Sequence, residues 1–292
     1  MNGFTGIWVA LVTPFQGGEV DYRALQTLAR SVRDAGAAGL VVCGSTGEAA
    51  ALGQDEQMAV LDAVLEAVPD CPVVMGLAGN NLQDVQRRLE EIQGRPVAGV
   101  LAPPPYYIRP SQQGLIAYFR TLADASSVPI ILYNIPYRTG IGLDLETIRA
   151  IAQHPRIAAI KDCGGNPMLT MQLIADARLA VLAGEDNQIF TTLCLGGAGA
   201  ITAAANIRPD LYVRMANAVI NGELDEGRRL FYCLLPLIDR LFKEPNPGPV
   251  KAALAQLKFI RDELRAPMQP ASAGLRNEIT IELDRLKRIP FL

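Results

Sequence analysis

The stretch "IAAIKDCGG" (residues 157–165) runs four apolar residues into Lys161 and Asp162 before a glycine pair. A lysine is rarely buried without a partner, so one that closes a segment built for an interior needs a reason. Two readings stand side by side. In the first, burial disfavours the ammonium form. The free amine can then attack a ketone and form a Schiff base. The iminium so formed is an electron sink, and the neighbouring carbon can lose a proton to become an enamine. In the second reading the stem lines the strand while the head pairs with Asp162 or Glu185. A similar run, "PIILYNIP" (129–136), ends at Tyr133 and Asn134. The Tyr133 phenol is suited to moving protons as an imine forms and collapses, or to plain packing.

Other candidates follow the same geometry, each at the end of an apolar run. "GSTGE" (44–48) offers the hydroxyls of Ser45 and Thr46 and free backbone N–H groups in a glycine-flanked turn. Such a turn suits a small carboxylate, or serves only as a tight loop with capping side chains. Arg138, in "YRTG", can hold a carboxylate bidentately, or stand as a solvated loop arginine. Tyr106 and Tyr107 follow three prolines, Pro103 to Pro105, which stiffen the segment. The acids Glu48, Asp162, Glu185 and Asp186 are of a type that binds Mg²⁺, which seeds a rival reading as a metal-dependent pyruvate aldolase. The seventh run ends in acids, which is unwelcoming to the phosphate that many barrels bind there.

Several classes are disfavoured. There is one histidine, His154, beside a proline near a helix end; histidine-based triads and His-ligated metals have little to build on. Zinc-ligand spacing is absent, and no metal is expected. The five cysteines are odd in number and scattered, without a CxxC pair, which points to a reducing compartment and a cytoplasmic protein. The net charge is -3 with both signs interspersed, so nucleic-acid binding is not expected. The N-terminal "MNGFTGIWVALVTPF" lacks a signal-peptide pattern, and no apolar run has the length of a membrane span.

The elements that must position these residues are legible as eight short apolar runs: 7–15, 39–48, 72–79, 99–107, 129–136, 157–165, 179–187 and 198–207. Most are continuous rather than alternating, the mark of parallel strands covered on both faces. Helical periods fill the gaps. Leu25, Leu28 and Val32 share a face before Gly36, and Met58, Leu61, Leu65 and Val68 share another before Pro69. Eight strand–helix units predict a (β/α)8 TIM barrel, in which function gathers at the C-terminal strand ends. A doubly wound sheet is the competitor, and the lack of a glycine fingerprint after the first strand counts against it. Beyond residue 222 only helical periods remain. Residues 1–222 are therefore expected as the catalytic barrel and 223–292 as a C-terminal helical domain. The helices there are expected over "DEGRRLFYCLLPLIDRLFK", "PVKAALAQLKFIRDEL" and "AGLRNEITIELDRLKR", with Pro245, Pro247 and Pro249 in the first connector.

Taken together, "LVTPF", "GSTGE", "YYIRPSQQGL", "YNIPYRTG", "AIKDCGGN", "AGED" and "EPNPGPVK" are specific. The chain resembles, over essentially its full length, the dihydrodipicolinate synthase / N-acetylneuraminate lyase family of class I pyruvate aldolases. The resemblance implies that Lys161 takes pyruvate as a Schiff base, with no cofactor beyond that covalent imine, and that Tyr133 relays protons there. Ser45 stands where the synthases usually carry threonine; with Tyr107, donated across a subunit interface, it would complete the relay. Thr46 would bind the pyruvate carboxylate, and the backbone at Gly184 and Ile201 would line the site. Arg138 matches the arginine that receives the carboxylate of aspartate semialdehyde. Arg138 and "NPGPVK" look like the synthases; "GSTGEA" and "YNIP" look somewhat like the lyases acting on N-acetylneuraminate or 2-keto-3-deoxy sugar acids. A barrel that binds a keto acid without turnover is a further possibility that intact Lys161, Tyr133 and Thr46 argue against. The resemblance also implies small keto-acid and aldehyde substrates and a homotetramer built as a dimer of dimers. Asn80, Asp84 and Tyr106 could serve the family's lysine-binding interface pocket. Ala49, Gln54 and Gln57 stand where lysine-inhibited members carry a serine and two histidines, so weak inhibition is expected.

Overall fold

The computed structural model describes residues 3–289. Eight parallel strands close into a barrel in the order β1-β10-β9-β8-β7-β6-β5-β4. They are β1 (Gly6–Ala10), β4 (Gly39–Val42), β5 (Val73–Gly76), β6 (Gly99–Ala102), β7 (Ile130–Asn134), β8 (Ile157–Asp162), β9 (Ala180–Ala183) and β10 (Gly199–Thr202). Seven lie inside one of the eight apolar runs, and β1 starts one residue before the first. The first run carries more than a strand: past Ala10 it turns into a two-residue antiparallel hairpin, β2 (Phe15–Gln16) and β3 (Glu19–Val20). The fold is the (β/α)8 barrel with a helical C-terminal part.

The chain divides into two compact units, one of Val73–Ile201 with the residues up to Thr5, the other of Gly6–Pro72 with the residues from Thr202 onward. The first unit alternates β5 to β10 with α3 (Leu82–Gln93), α4 (Gln112–Asp124), α5 (Pro136–Thr139), α6 (Leu145–Ile151), α7 (Pro167–Asp176) and α8 (Ile189–Cys194). Its strands are buried throughout because neighbours cover both faces: β6, β7 and β8 have no exposed residue. That is why their sequences are continuous apolar runs. His154 is a boundary residue, as its context implies; its Nδ1 accepts from Arg156 N at 3.1 Å.

The second unit holds β1, β4, the hairpin and the helices α1 (Tyr22–Asp34), α2 (Gln54–Ala67), α9 (Pro209–Ile220), α10 (Leu224–Leu241), α11 (Gly248–Gln256) and α12 (Ala273–Lys287). Asp21 caps α1 by accepting from Ala24 N at 3.0 Å, which satisfies one of the open N–H groups of the first turn. Leu25, Leu28 and Val32 are buried, each stabilising by about 1.5–3 kcal/mol, and Gly36 in left-handed backbone lets the chain leave. Trp8 on β1 lies opposite Gly39 on β4. A Cβ at 39 would stand 2.2 Å from the indole, so the large ring is accommodated by the missing side chain.

Two expectations are corrected. The buried face of α2 is Gln57, Val60, Leu61, Val64 and Ala67; of the expected stripe Leu61 and Val68 are buried, while Met58 and Leu65 are half-buried. Gln57 takes an inward position because its Nε2 donates to Ala49 O at 2.9 Å and Leu52 O at 3.1 Å, so a polar residue joins the buried face. The helix after "EPNPG" is shorter than its period suggests; it ends at Gln256 and Lys258 turns into left-handed backbone. Among the described residues no helix is long and apolar enough to cross a membrane.

Candidate active site

Parallel pairing of β7 with β8 sets Tyr133 opposite Lys161 and Asn134 opposite Asp162, at the C-terminal ends of both strands. Lys161 and Tyr133 are each 7% exposed. Lys161 Nζ meets Tyr133 Oη at 3.4 Å and lies 4.4 Å from the centre of its ring. This is a long contact, of the kind that tightens when a reactant fills the gap. Lys161 forms no ion pair among the described residues.

Asp162 is occupied elsewhere. Its Oδ1 accepts from Asn134 Nδ2 and from Gly164 N, both at 2.9 Å, and its Oδ2 accepts from Thr170 Oγ1 on α7 at 2.7 Å. Asn134 in turn accepts from Leu143 N at 3.1 Å. A buried carboxylate saturated this way serves the strand end rather than the lysine. The reading in which Asp162 pairs with Lys161 therefore has no counterpart here; the strand-end residue Asn134 supports the acid instead, together with Thr170, which the sequence did not single out.

The wall beside the lysine is β9. Gly184 N donates to Asp162 O at 2.9 Å. A Cβ at Gly184 would come within 2.3 Å of Cys163 Sγ and 3.0 Å of Lys161 Cγ. Glycine at 184 is therefore what lets Lys161 and Cys163 fit. Burial pushes the Cys163 thiol well up from its ordinary value, with Lys161 opposing and Glu185 adding to the shift, so Cys163 is an inert filler. Glu185 Oε1 is buried and without a hydrogen-bond partner among the described residues. Ile201, on β10, is fully buried.

Arg138 lies on the short α5, exposed, with its guanidinium 5.8 Å from the centre of the Tyr137 ring. Among the described residues it forms no ion pair, which leaves the guanidinium available for an anion. Tyr107 is 88% exposed. It has left-handed backbone, φ 72°, and its N–H donates to Thr139 O at 3.2 Å. It is not brought to Lys161 within the chain. Tyr106 N donates to Asn80 Oδ1 at 2.9 Å, and Asp84 pairs with Arg87.

The "GSTGE" turn belongs to the second unit, after β4. Ser45 is exposed, whereas Thr46 and Glu48 are each 5% exposed. Thr13 Oγ1 donates to Gly47 O at 2.7 Å. Asn246 Nδ2 donates to Thr46 Oγ1 at 2.9 Å. Glu48, one of the acids considered for a cation, is instead ion-paired with the fully buried Lys251. Lys251 Nζ also donates to Glu263 O at 2.8 Å and lies 4.1 Å from the centre of the Phe15 ring. Arg265 N donates to the other Glu48 oxygen at 3.2 Å. Burial pulls Lys251 down from its ordinary value while Glu48 opposes that shift. Asn246, Lys251 and Arg265 lie some 200 residues downstream of the turn they hold, counted by the separation of 200 between Asn246 and Thr46. Asn246 and Lys251 belong to the tail motif "EPNPGPVK", which alone hinted at a role; nothing in the sequence singled out Arg265. Among the described residues, no three His, Cys, Asp or Glu side chains group as a metal site.

The sequence matches the dihydrodipicolinate synthetase family over residues 3–286. A 4-hydroxy-tetrahydrodipicolinate synthase of Syntrophobacter fumaroxidans is 38% identical over 285 residues, covering 96% of this chain and 98% of the relative. A solved dihydrodipicolinate synthase superposes with a TM-score of 0.95 at 33% identity, covering 98% of this chain and 100% of the other. A chloride-inhibited dihydrodipicolinate synthase from Acinetobacter baumannii, solved in complex with pyruvate, superposes at 0.94 with 30% identity, covering 98% of this chain and 99% of that one.

Proposed function

The chain belongs to the dihydrodipicolinate synthetase family, and on that premise we propose that it catalyses the 4-hydroxy-tetrahydrodipicolinate synthase reaction through an imine on Lys161. The observation that carries the reading is the in-register pair of Tyr133 and Lys161, both nearly buried, with Nζ 3.4 Å from the phenol and, among the described residues, no carboxylate holding it. The Lys161 amine adds to the keto carbon of pyruvate, water leaves, and the iminium forms. A methyl proton is lost to give the enamine, whose carbon attacks the aldehyde carbon of L-aspartate 4-semialdehyde. The acceptor's own amino group then displaces Lys161 at the imine carbon, closing the ring and freeing the lysine. Tyr133 shuttles the protons of the addition and dehydration steps, with Ser45 and Tyr107 as the further members of the relay. Thr46 donates to the pyruvate carboxylate, the Gly184 and Ile201 backbones line the pocket, and Arg138 takes the carboxylate of the semialdehyde.

Tyr107 is exposed in the single chain, which supports an assembly in which it serves a neighbouring subunit; a homotetramer is proposed, in the cytoplasm. Weak inhibition by free lysine belongs to the same reading, with Ala49, Gln54 and Gln57 in place of a serine and two histidines. The reaction is tested by supplying purified protein with pyruvate and a panel of aldehydes, and separately with N-acetylneuraminate, while following pyruvate. Consumption with aspartate semialdehyde is expected, and Arg138→Ala should raise the KM for the aldehyde by roughly 10- to 100-fold, the worth of a charge-assisted pair. Pyruvate release from N-acetylneuraminate without semialdehyde turnover would reassign the chain to the lyase branch.

A further inference from the structure

The tail motif "EPNPGPVK" enters none of the steps above, yet two of its side chains end on the "GSTGE" turn. Asn246 reaches Thr46, and Lys251 reaches Glu48. The turn needs anchoring from outside. Cys43 at its entrance and Glu48 at its exit both lie in left-handed backbone, at φ 52° and 53°. That conformation is strained for residues with a Cβ and persists only where the surroundings hold it. The local bonds are modest: Gly47 N to Gly44 O at 3.1 Å and Glu48 N to Ser45 O at 3.2 Å. Thr13 Oγ1 adds a bond to Gly47 O at 2.7 Å, and the tail adds Asn246 on Thr46, Lys251 on Glu48 and Arg265 N on the second Glu48 oxygen.

The direction of the Asn246 bond decides what Thr46 can do. An amide nitrogen only donates, so Thr46 Oγ1 accepts from it. A hydroxyl that accepts on one side keeps its own hydrogen to give on another. A carboxylate needs donors only, so this is the polarity an anion site requires. Asn246 Oδ1 makes no hydrogen bond among the described residues, and nothing on that amide draws the Thr46 hydrogen back.

We infer that Asn246 is a positioning residue for the keto-acid substrate, orienting the Thr46 hydroxyl so that its hydrogen is given to the substrate carboxylate. This rests on the reading of Thr46 as the carboxylate donor. The Lys251–Glu48 pair fixes the far end of the same turn.

The test measures how much pyruvate half-saturates borohydride-trapped adduct formation in the full-length protein. Variants are Thr46→Val, Asn246→Ala, Asn246→Asp and the double variant Thr46→Val/Asn246→Ala. Asn246→Ala should raise the half-saturating concentration about fivefold, the scale of one hydrogen bond. Asn246→Asp keeps the shape but accepts the Thr46 hydrogen and adds a negative charge, so its effect should be larger, roughly 30-fold or more. The maximal amount of adduct should stay near that of the parent. In the Thr46→Val background, Asn246→Ala should add less than about twofold, because groups acting through one another are not additive. If Thr46→Val raises the requirement and neither Asn246 variant does, the inference is wrong and the Thr46 reading stands. Independent, multiplying effects would also overturn it. No effect of Thr46→Val removes the Thr46 reading, and this inference with it.

Discussion

Replacing Lys251 with methionine isolates the energetic core of the second unit. Lys251 is fully buried and the Glu48 side chain is 2% exposed. The variant removes the ammonium, its bond to Glu263 O, and its contact with the Phe15 ring. Among the described residues, only Arg265 N then remains on the Glu48 carboxylate. Stranding one charge of a buried pair costs about 3–5 kcal/mol. Unfolding entropy of about 2.1 cal/mol/K per residue, over a chain of this length, gives roughly 0.6 kcal/mol/K. The melting midpoint should therefore fall by roughly 5–8 °C, read by calorimetry or by a dye-based melt at neutral pH. Glu48→Gln/Lys251→Met removes both charges and keeps an acceptor for Arg265, so it should return to within about 1–2 kcal/mol of the parent. A midpoint loss under about 2 °C for Lys251→Met, or a double variant as unstable as the single, would refute the pair as the anchor of the turn.

Gly184→Ala places a Cβ 2.3 Å from Cys163 Sγ, 2.9 Å from Asp162 O and 3.0 Å from Lys161 Cγ. The lysine must shift, and the rate of trappable adduct formation should fall about 100-fold; adding Cys163→Ala should restore only part, since the Asp162 carbonyl remains. An undiminished rate would mean that the β9 wall does not position Lys161. Glu56 is held down to about 2, first by its hydrogen bonds from Arg265 and then by Gly53 N. A depressed carboxyl stabilises fully above its unfolded value near 4.5 and loses that contribution as pH falls toward 2. Glu56→Gln should therefore show a shallower drop in melting temperature between pH 5 and 2.5. The side chain is 31% exposed, so the difference is on the order of 1 kcal/mol; parallel pH profiles would argue against the linkage.

Much of the barrel is legible because each strand is buried on both faces and advertises itself as a continuous apolar run. Lys161 was legible for the same reason: a charged residue closing "IAAI" contradicts its surroundings unless chemistry or a partner explains it. The partner was the part that misled. Asp162 sits next to Lys161 in sequence, but successive strand residues point to opposite faces, and its oxygens turn to Asn134, Gly164 and Thr170. Glu48 misled in the opposite way. Beside the hydroxyls of "GSTGE" it reads as a candidate cation ligand, while its counter-charge, Lys251, lies far along the chain in a stretch that reads as plain helix. Pairings over such separations leave no periodicity to detect. Gln57 shows the same limit on α2, where two backbone carbonyls draw a polar side chain into a buried position.

The most direct test of the account is the site of covalent capture. Purified protein incubated with pyruvate and reduced with borohydride is digested, and its peptides are weighed. A reduced pyruvyl group is expected on the peptide carrying Lys161, none on the one carrying Lys251, and none anywhere in Lys161→Ala. An adduct that persists in Lys161→Ala, or no adduct in a protein that turns pyruvate over, would contradict the imine on Lys161.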